Sequence, residues 1–175
     1  MKLRNTILAI LSLLFVTGCD ATITGIVVDA ETGKPIEGAV ILVEWTQAKG
    51  LPGMSYTESY KVVEVVTDKE GKASIEGVSS PMVSAPRVTI YKKGYVAWNN
   101  EYIFPDWKKR TDFKWVNNYV FKLEKFKPEY SHDKHTTFIH GAILDNIAFD
   151  KKKSIFGAYR WEELKALEER SQRRR

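Results

Sequence analysis

The chain has 175 residues, 43% hydrophobic and 12% aromatic, with 27 Lys and Arg against 22 Asp and Glu and a net charge of +5. That length suits one domain of ordinary size with an appendage, and the apolar share allows a sizeable core. Its single cysteine, Cys19, excludes an intramolecular disulfide, so the core must hold the fold unaided.

The first eighteen residues have the three parts of a secretory signal. Lys2 and Arg4 start it, Ile7 to Val16 form an apolar run, and small Thr17 and Gly18 stand directly before Cys19. The run is too short to span a bilayer, which needs roughly 20 apolar residues. Cleavage would remove Lys2 and Arg4 and leave 25 basic against 22 acidic side chains, or +3. The remaining positive charge clusters at Lys108-Lys109-Arg110, Lys151-Lys152-Lys153 and Arg173-Arg174-Arg175, where it suits anionic headgroups or solvated segments. An export signal argues against a nucleic-acid partner.

Val16-Thr17-Gly18-Cys19 resembles the bacterial lipobox. The resemblance implies cleavage between Gly18 and Cys19, a lipid on the Cys19 thiol and acylation of the new amino terminus. A free thiol would be an odd leftover in an exported chain, whereas two or more acyl chains hold a protein stably to a membrane. The alternatives are an ordinary cleaved signal and an uncleaved N-terminal anchor. Asp20 resembles the inner-membrane retention signal of enteric-type bacteria, a rule that does not extend to every lineage, so both membranes stay open.

From Thr22 onward the chain reads as strands. Thr22 to Asp29 is rich in Ile, Val and Thr and breaks at the turn-forming stretch Asp29 to Pro35. Ala39, Ile41, Val43 and Trp45 alternate with Val40, Leu42 and Glu44, so the first set is expected to face the core and Leu42 to matter less. A Gly and Pro loop from Lys49 to Gly53 leads into a β-rich run, Tyr56 to Thr67. Asp68-Lys69-Glu70-Gly71 turns into Ala73 to Ile75, and Arg87 to Tyr91 and Tyr119 to Leu123 are the last clear strands. Short strands separated by turn signals predict a mainly β, antiparallel sandwich.

Four stretches carry a second resemblance: Thr24 to Asp29, Thr32 to Ala39, Thr67 to Lys72 and Tyr91 to Tyr95. Together they resemble the carboxypeptidase regulatory-like domain, a seven-stranded transthyretin-like (prealbumin-like, Ig-like) sandwich. The resemblance covers roughly residues 21 to 125; the domain is expected at 20–126, with an aromatic-rich insertion at 96–118, and a helical extension at 127–175. It departs from the family pattern at Ala73 and in the long connection from Tyr95 to Tyr119. The family's module is an accessory domain, and the resemblance implies no peptidase chemistry.

That connection carries Trp98, Tyr102, Phe104, Trp107, Phe113 and Trp115 among Asn and charged residues. Long loops in compact domains are functional or wrapped on the domain by their own side chains. As a binding surface, Trp98, Trp107, Trp115 and Tyr102 would stack on sugar rings, a peptide or cations. As packing, the same rings would cover a sheet edge or lie under the C-terminal helices. Trp107, flanked by Pro105 and Asp106, is expected to be the most exposed of Trp98, Trp107 and Trp115.

After Pro128 the period changes. Ser131 caps a helix that carries Phe138, Ile139, Ala142, Ile143 and Ile147 on one face, with Gly141 a cost of about 1 kcal/mol that packing must offset. A second helix is expected to bury Trp161, Leu164 and Leu167 and to expose Glu162, Glu163, Glu168 and Glu169. His132 and His135 share a helical face, but His140 points away, so the three make no single metal site. Ser131, His132 and Asp133 are neighbours along one helix and make no triad.

These features predict a membrane-anchored, non-enzymatic lipoprotein of the cell envelope, facing the periplasm or exterior, with no metal and no cofactor beyond the covalent lipid on Cys19. Its sandwich would act as a protein-binding or scaffolding module. The alternatives are a glycan-binding accessory domain using the 96–118 connection and, further off, a metal-dependent hydrolase.

Overall fold

The computed structural model describes residues 22–51, 53–143 and 148–174. Among these described residues nine strands come first: β1 (Thr22–Asp29), β2 (Val40–Leu51), β3 (Met54–Val66), β4 (Lys72–Glu76), β5 (Arg87–Tyr91), β6 (Trp98–Asn99), β7 (Tyr102–Ile103), β8 (Lys108–Lys109) and β9 (Tyr119–Leu123). Two helices follow, α1 (His132–Ile143) and α2 (Lys153–Arg173), with a short 3-10 turn at Phe149–Lys151 between them. The chain is mainly β with a helical C-terminal extension.

The strands form a three-stranded sheet in the order β4-β1-β9, a four-stranded sheet in the order β3-β2-β5-β6, and a small β7-β8 hairpin. All pairings are antiparallel except β1 with β9, which run parallel from Gly25↔Tyr119 to Asp29↔Leu123. Most of the chain lies between β1 and β9, so nothing forces the hairpin geometry that makes neighbouring strands antiparallel.

Val27, Ile41, Val43, Ile75, Val88, Ile90, Phe121 and Leu123 form a core between the sheets. A second core lies on the other side of the four-stranded sheet, where Val40, Leu42 and Tyr91 meet Phe104, Phe138, Ile139, Ile143, Ile155 and Tyr159 beneath the helices. This corrects the expectation for β2. Ala39, Ile41, Val43 and Trp45 do face the inner core, but Val40, Leu42 and Glu44 are buried as well, because α1 and α2 cover the face that would otherwise meet water. Ile41→Ala and Leu42→Ala should therefore destabilise alike, by about 2–5 kcal/mol each, in chemical denaturation.

The turn after β1 is built on one carboxylate. Asp29 Oδ1 accepts hydrogen bonds from the Glu31 and Thr32 amides and the Thr32 hydroxyl, and Oδ2 accepts from the Tyr95 hydroxyl at 3.1 Å. The Thr32 amide above all holds this carboxyl down at about 2, against 3.8 ordinarily, although burial opposes the shift. A depressed folded value stabilises the native state above the ordinary carboxyl range and loses that contribution as pH falls towards 2. Asp29→Asn should flatten that acid limb in thermal melts between pH 5 and 2.

Ser131 caps α1 as expected, its hydroxyl accepting from the Lys134 amide at 3.2 Å. The start of α2 has no cap of its own. Glu64 of β3 supplies it from outside, taking the Ser154 and Ile155 amides at 2.9 and 2.8 Å. The face of α2 differs from expectation: Ile155, Tyr159, Glu162 and Ala166 are buried, while Leu164 and Leu167 are more than half exposed. Glu162 turns inward because three hydrogen-bonding partners wait there. Ile147, expected on the α1 face, lies outside the described residues.

Candidate functional site

The polar centre of the molecule gathers on Glu162, whose side chain is almost fully enclosed. His132 Nδ1 lies 2.6 Å and His135 Nδ1 2.9 Å from its Oε1, and the Tyr91 hydroxyl donates to Oε2 at 3.2 Å. His135 Nε2 accepts the Ala97 amide at 2.9 Å, so its proton sits on Nδ1 and is donated to Glu162. Burial pushes the Glu162 carboxyl up, but the hydrogen bonds from His135 and His132 outweigh it and hold the group below its ordinary value. Tyr91 is driven the other way, chiefly by burial and then by the adjacent Glu162 charge. The cluster ties β5, the chain before β6, α1 and α2 together. With both ring nitrogens of His135 engaged, the cluster locks these elements together.

A second buried pair lies nearby on β2. Lys152 Nζ donates to Glu44 Oε2 at 2.8 Å and to the Ile143 carbonyl at 2.7 Å, with both side chains essentially inaccessible. His140 stands apart, 3.4 Å from Glu163 at the edge of a groove along α2. Among the described residues no group of three or more His, Cys, Asp or Glu is placed to hold a metal ion.

The four aromatic residues proposed as one surface do not share one. Trp98 is 5% exposed, pairs with Ile90 through β6, and packs edge-on against Phe121 and Phe113 with the Arg110 guanidinium over its ring. Trp115 is partly buried against Trp45 of the inner core. These two rings are packing: Trp98 belongs to the core between the sheets, and Trp115 packs against it. Trp107 and Tyr102 are 41% and 39% exposed and meet each other edge-on at 5.8 Å. Trp107 is the most exposed of the three tryptophans named, yet one side of its ring rests on Phe138 and on Gly141, where a Cβ would come within 2.7 Å of the indole. Gly141 thus has a role that helix propensity hides.

Gly18 and Cys19 lie outside the described residues. Sequence reasoning missed Glu162 and the Glu44–Lys152 pair. The three-residue spacing of His132 and His135 was the available signal for the first; a lone Glu within an apolar β2 was the signal for the second.

No family model and no curated protein matches the chain. Among solved structures it is similar to that of the streptococcal ancillary pilin, at 21% identity and a TM-score of 0.31, covering 62% of this chain. The match spans 30% of the pilin chain, and at that score it carries no argument about function.

Proposed function

We propose that this is a lipid-anchored, non-catalytic cell-envelope protein whose sandwich is a scaffolding or protein-binding module of the carboxypeptidase regulatory-like type. The observation that carries the proposal is the order of the N-terminal features: a charged start, an apolar run, Thr17-Gly18-Cys19, and then, three residues after the cysteine, the first strand at Thr22. An acyl group on Cys19 would join the membrane to a rigid body with almost no spacer. Support for the domain type comes from the meeting of its four motifs in space. The Val27 amide donates to the Gly71 carbonyl at 2.8 Å, the Ile36 amide to the Val27 carbonyl at 3.0 Å, and the Tyr95 hydroxyl to Asp29. Mass analysis of the N-terminal peptide should find lipid on Cys19, and Cys19→Ala should lack it and leave the membrane fraction; an unmodified wild-type peptide would reject the anchor.

A glycan-binding reading has one observation of its own. The Trp107 ring, with Tyr102 edge-on against it, borders a cleft of about 330 Å³ together with Pro105, Asp133, Lys134 and Thr137, an apolar surface with polar neighbours. Loss of envelope-glycan binding in Trp107→Ala, with retention in Trp98→Phe, would favour it.

A further inference from the structure

The β2–β3 ribbon continues well past the sandwich. Beyond the irregularity at Trp45/Thr46 it makes six more pairs, from Thr46↔Ser59 to Leu51↔Met54, while exposure rises from partly buried Thr46 to a tip in open solvent. At roughly 3.3 Å per residue this arm is about 20 Å long. Paired residues share a face, so one side carries Leu51 and Met54 at the tip, Lys49 opposite Tyr56 in its next row, and Gln47 opposite Glu58 behind them. Leu51 and Met54 are 73% and 79% exposed, and Lys49, level with Tyr56, pairs its amine with Glu58 of the row behind at 2.6 Å. Gly50 to Thr57 contains no charged residue. An apolar tip backed by a row that sets a tyrosine opposite a lysine, with the lysine's carboxylate partner behind it, is the polarity profile of a membrane interface crossed over about 5–10 Å.

The arm also points to the end of the sandwich where β1 begins. Thr22 pairs with Glu76, Glu76 reaches Lys61 at 3.2 Å, and Lys61 pairs with Trp45 at the arm's base. Thr22 follows Cys19 by three positions, at most about 10 Å of extended chain. The loop touching the arm's base through Ser84 and Thr46 carries Met82, 80% exposed, and Lys151 borders the arm beside Tyr56.

We propose that the β2–β3 arm is a second membrane contact, seating Leu51 and Met54 in the acyl boundary of an anionic bilayer, with Tyr56 at headgroup level. This rests on the lipid-anchor reading for its orientation, since Cys19 acylation would hold the Thr22 end at the surface. The arm would then set the tilt of the sandwich on the membrane, which one flexible tether leaves free.

The test uses the full chain with a nitrobenzoxadiazole probe on Leu51→Cys, Met54→Cys or Lys34→Cys, reconstituted in phosphatidylethanolamine–phosphatidylglycerol vesicles. Lys34 is exposed in the turn at the opposite end. The expected result is blue-shifted, brighter emission at positions 51 and 54, quenched by lipid-borne nitroxide, with water-like emission at 34. The mass of the N-terminal peptide reports acylation separately. Where Cys19 proves unmodified, the anchor reading fails, and the same probes on the Cys19→Ser chain with added vesicles still decide the arm. Water-like emission at 51 and 54 on vesicles overturns the proposal whatever the state of Cys19. So does a blue shift in vesicle-free buffer that grows with protein concentration, which would assign the tip to a second copy of the chain.

Discussion

Glu162→Ala should destabilise the folded chain by about 3–5 kcal/mol, because it removes the common acceptor of three enclosed or half-enclosed donors and leaves them without water or protein to replace it. Tyr91 and His135 are fully buried, so neither can turn to solvent. Tyr91→Phe, which removes one donor and leaves Glu162 its histidines, should cost only about 1 kcal/mol. The pH dependence has a definite sign. The folded carboxyl lies below its ordinary 4.5, so its stabilisation is complete above that range and fades as pH falls below it. Urea titrations at pH 7 and pH 4 should show the wild type losing stability on acidification and Glu162→Ala losing less. An equal loss in both would mean that the acid sensitivity resides elsewhere.

Lys152→Met should cost a similar amount, about 3–5 kcal/mol, since it strands the Glu44 carboxylate at the centre of β2 beneath the helices. Glu44 is already poorly served, with Oε1 accepting no hydrogen bond among the described residues. The double replacement Glu44→Leu with Lys152→Met should therefore recover most of the loss or exceed wild-type stability, as buried ion pairs often yield to apolar residues of similar volume. Denaturation midpoints of the two single variants and the double variant complete the cycle. A double variant as unstable as the sum of the singles would show that the pair does not interact as the 2.8 Å contact requires.

What was legible in the chain was what depends on near neighbours. The strands at Thr22–Asp29, Arg87–Tyr91 and Tyr119–Leu123 follow from β-branched runs between turn residues, and the start of α1 follows from Ser131. What was not legible depended on the third layer. A strand buried on one face shows alternation, but β2 is buried on both, so Leu42 and Glu44 carry meanings that period two cannot express. On α2 the leucines at 164 and 167 mark an apolar stripe, yet the helix is rotated so that Glu162 meets two histidines some thirty residues earlier. The aromatic connection misled for a related reason: Trp98 belongs to the four-stranded sheet through two backbone pairs, too short a strand to leave a pattern.

The helical tail also decides the order in which the protein becomes safe from aggregation. Until residues 131–173 have emerged, the nascent sandwich presents Val40, Leu42, Tyr91 and Phe104 to its surroundings as an open apolar wall. The last turn of α2 then latches onto the first of α1: Glu169 takes the Asp133 amide at 3.0 Å, Arg170 Nε reaches the Asp133 carboxylate at 2.6 Å, and Arg173 meets Ser131 and Glu169. A chain released a few turns early would lose that latch along with part of its cover. For such a product the fate is capture by chaperones or clearance by proteases, so a stop codon near residue 160 would act as a loss of the whole protein.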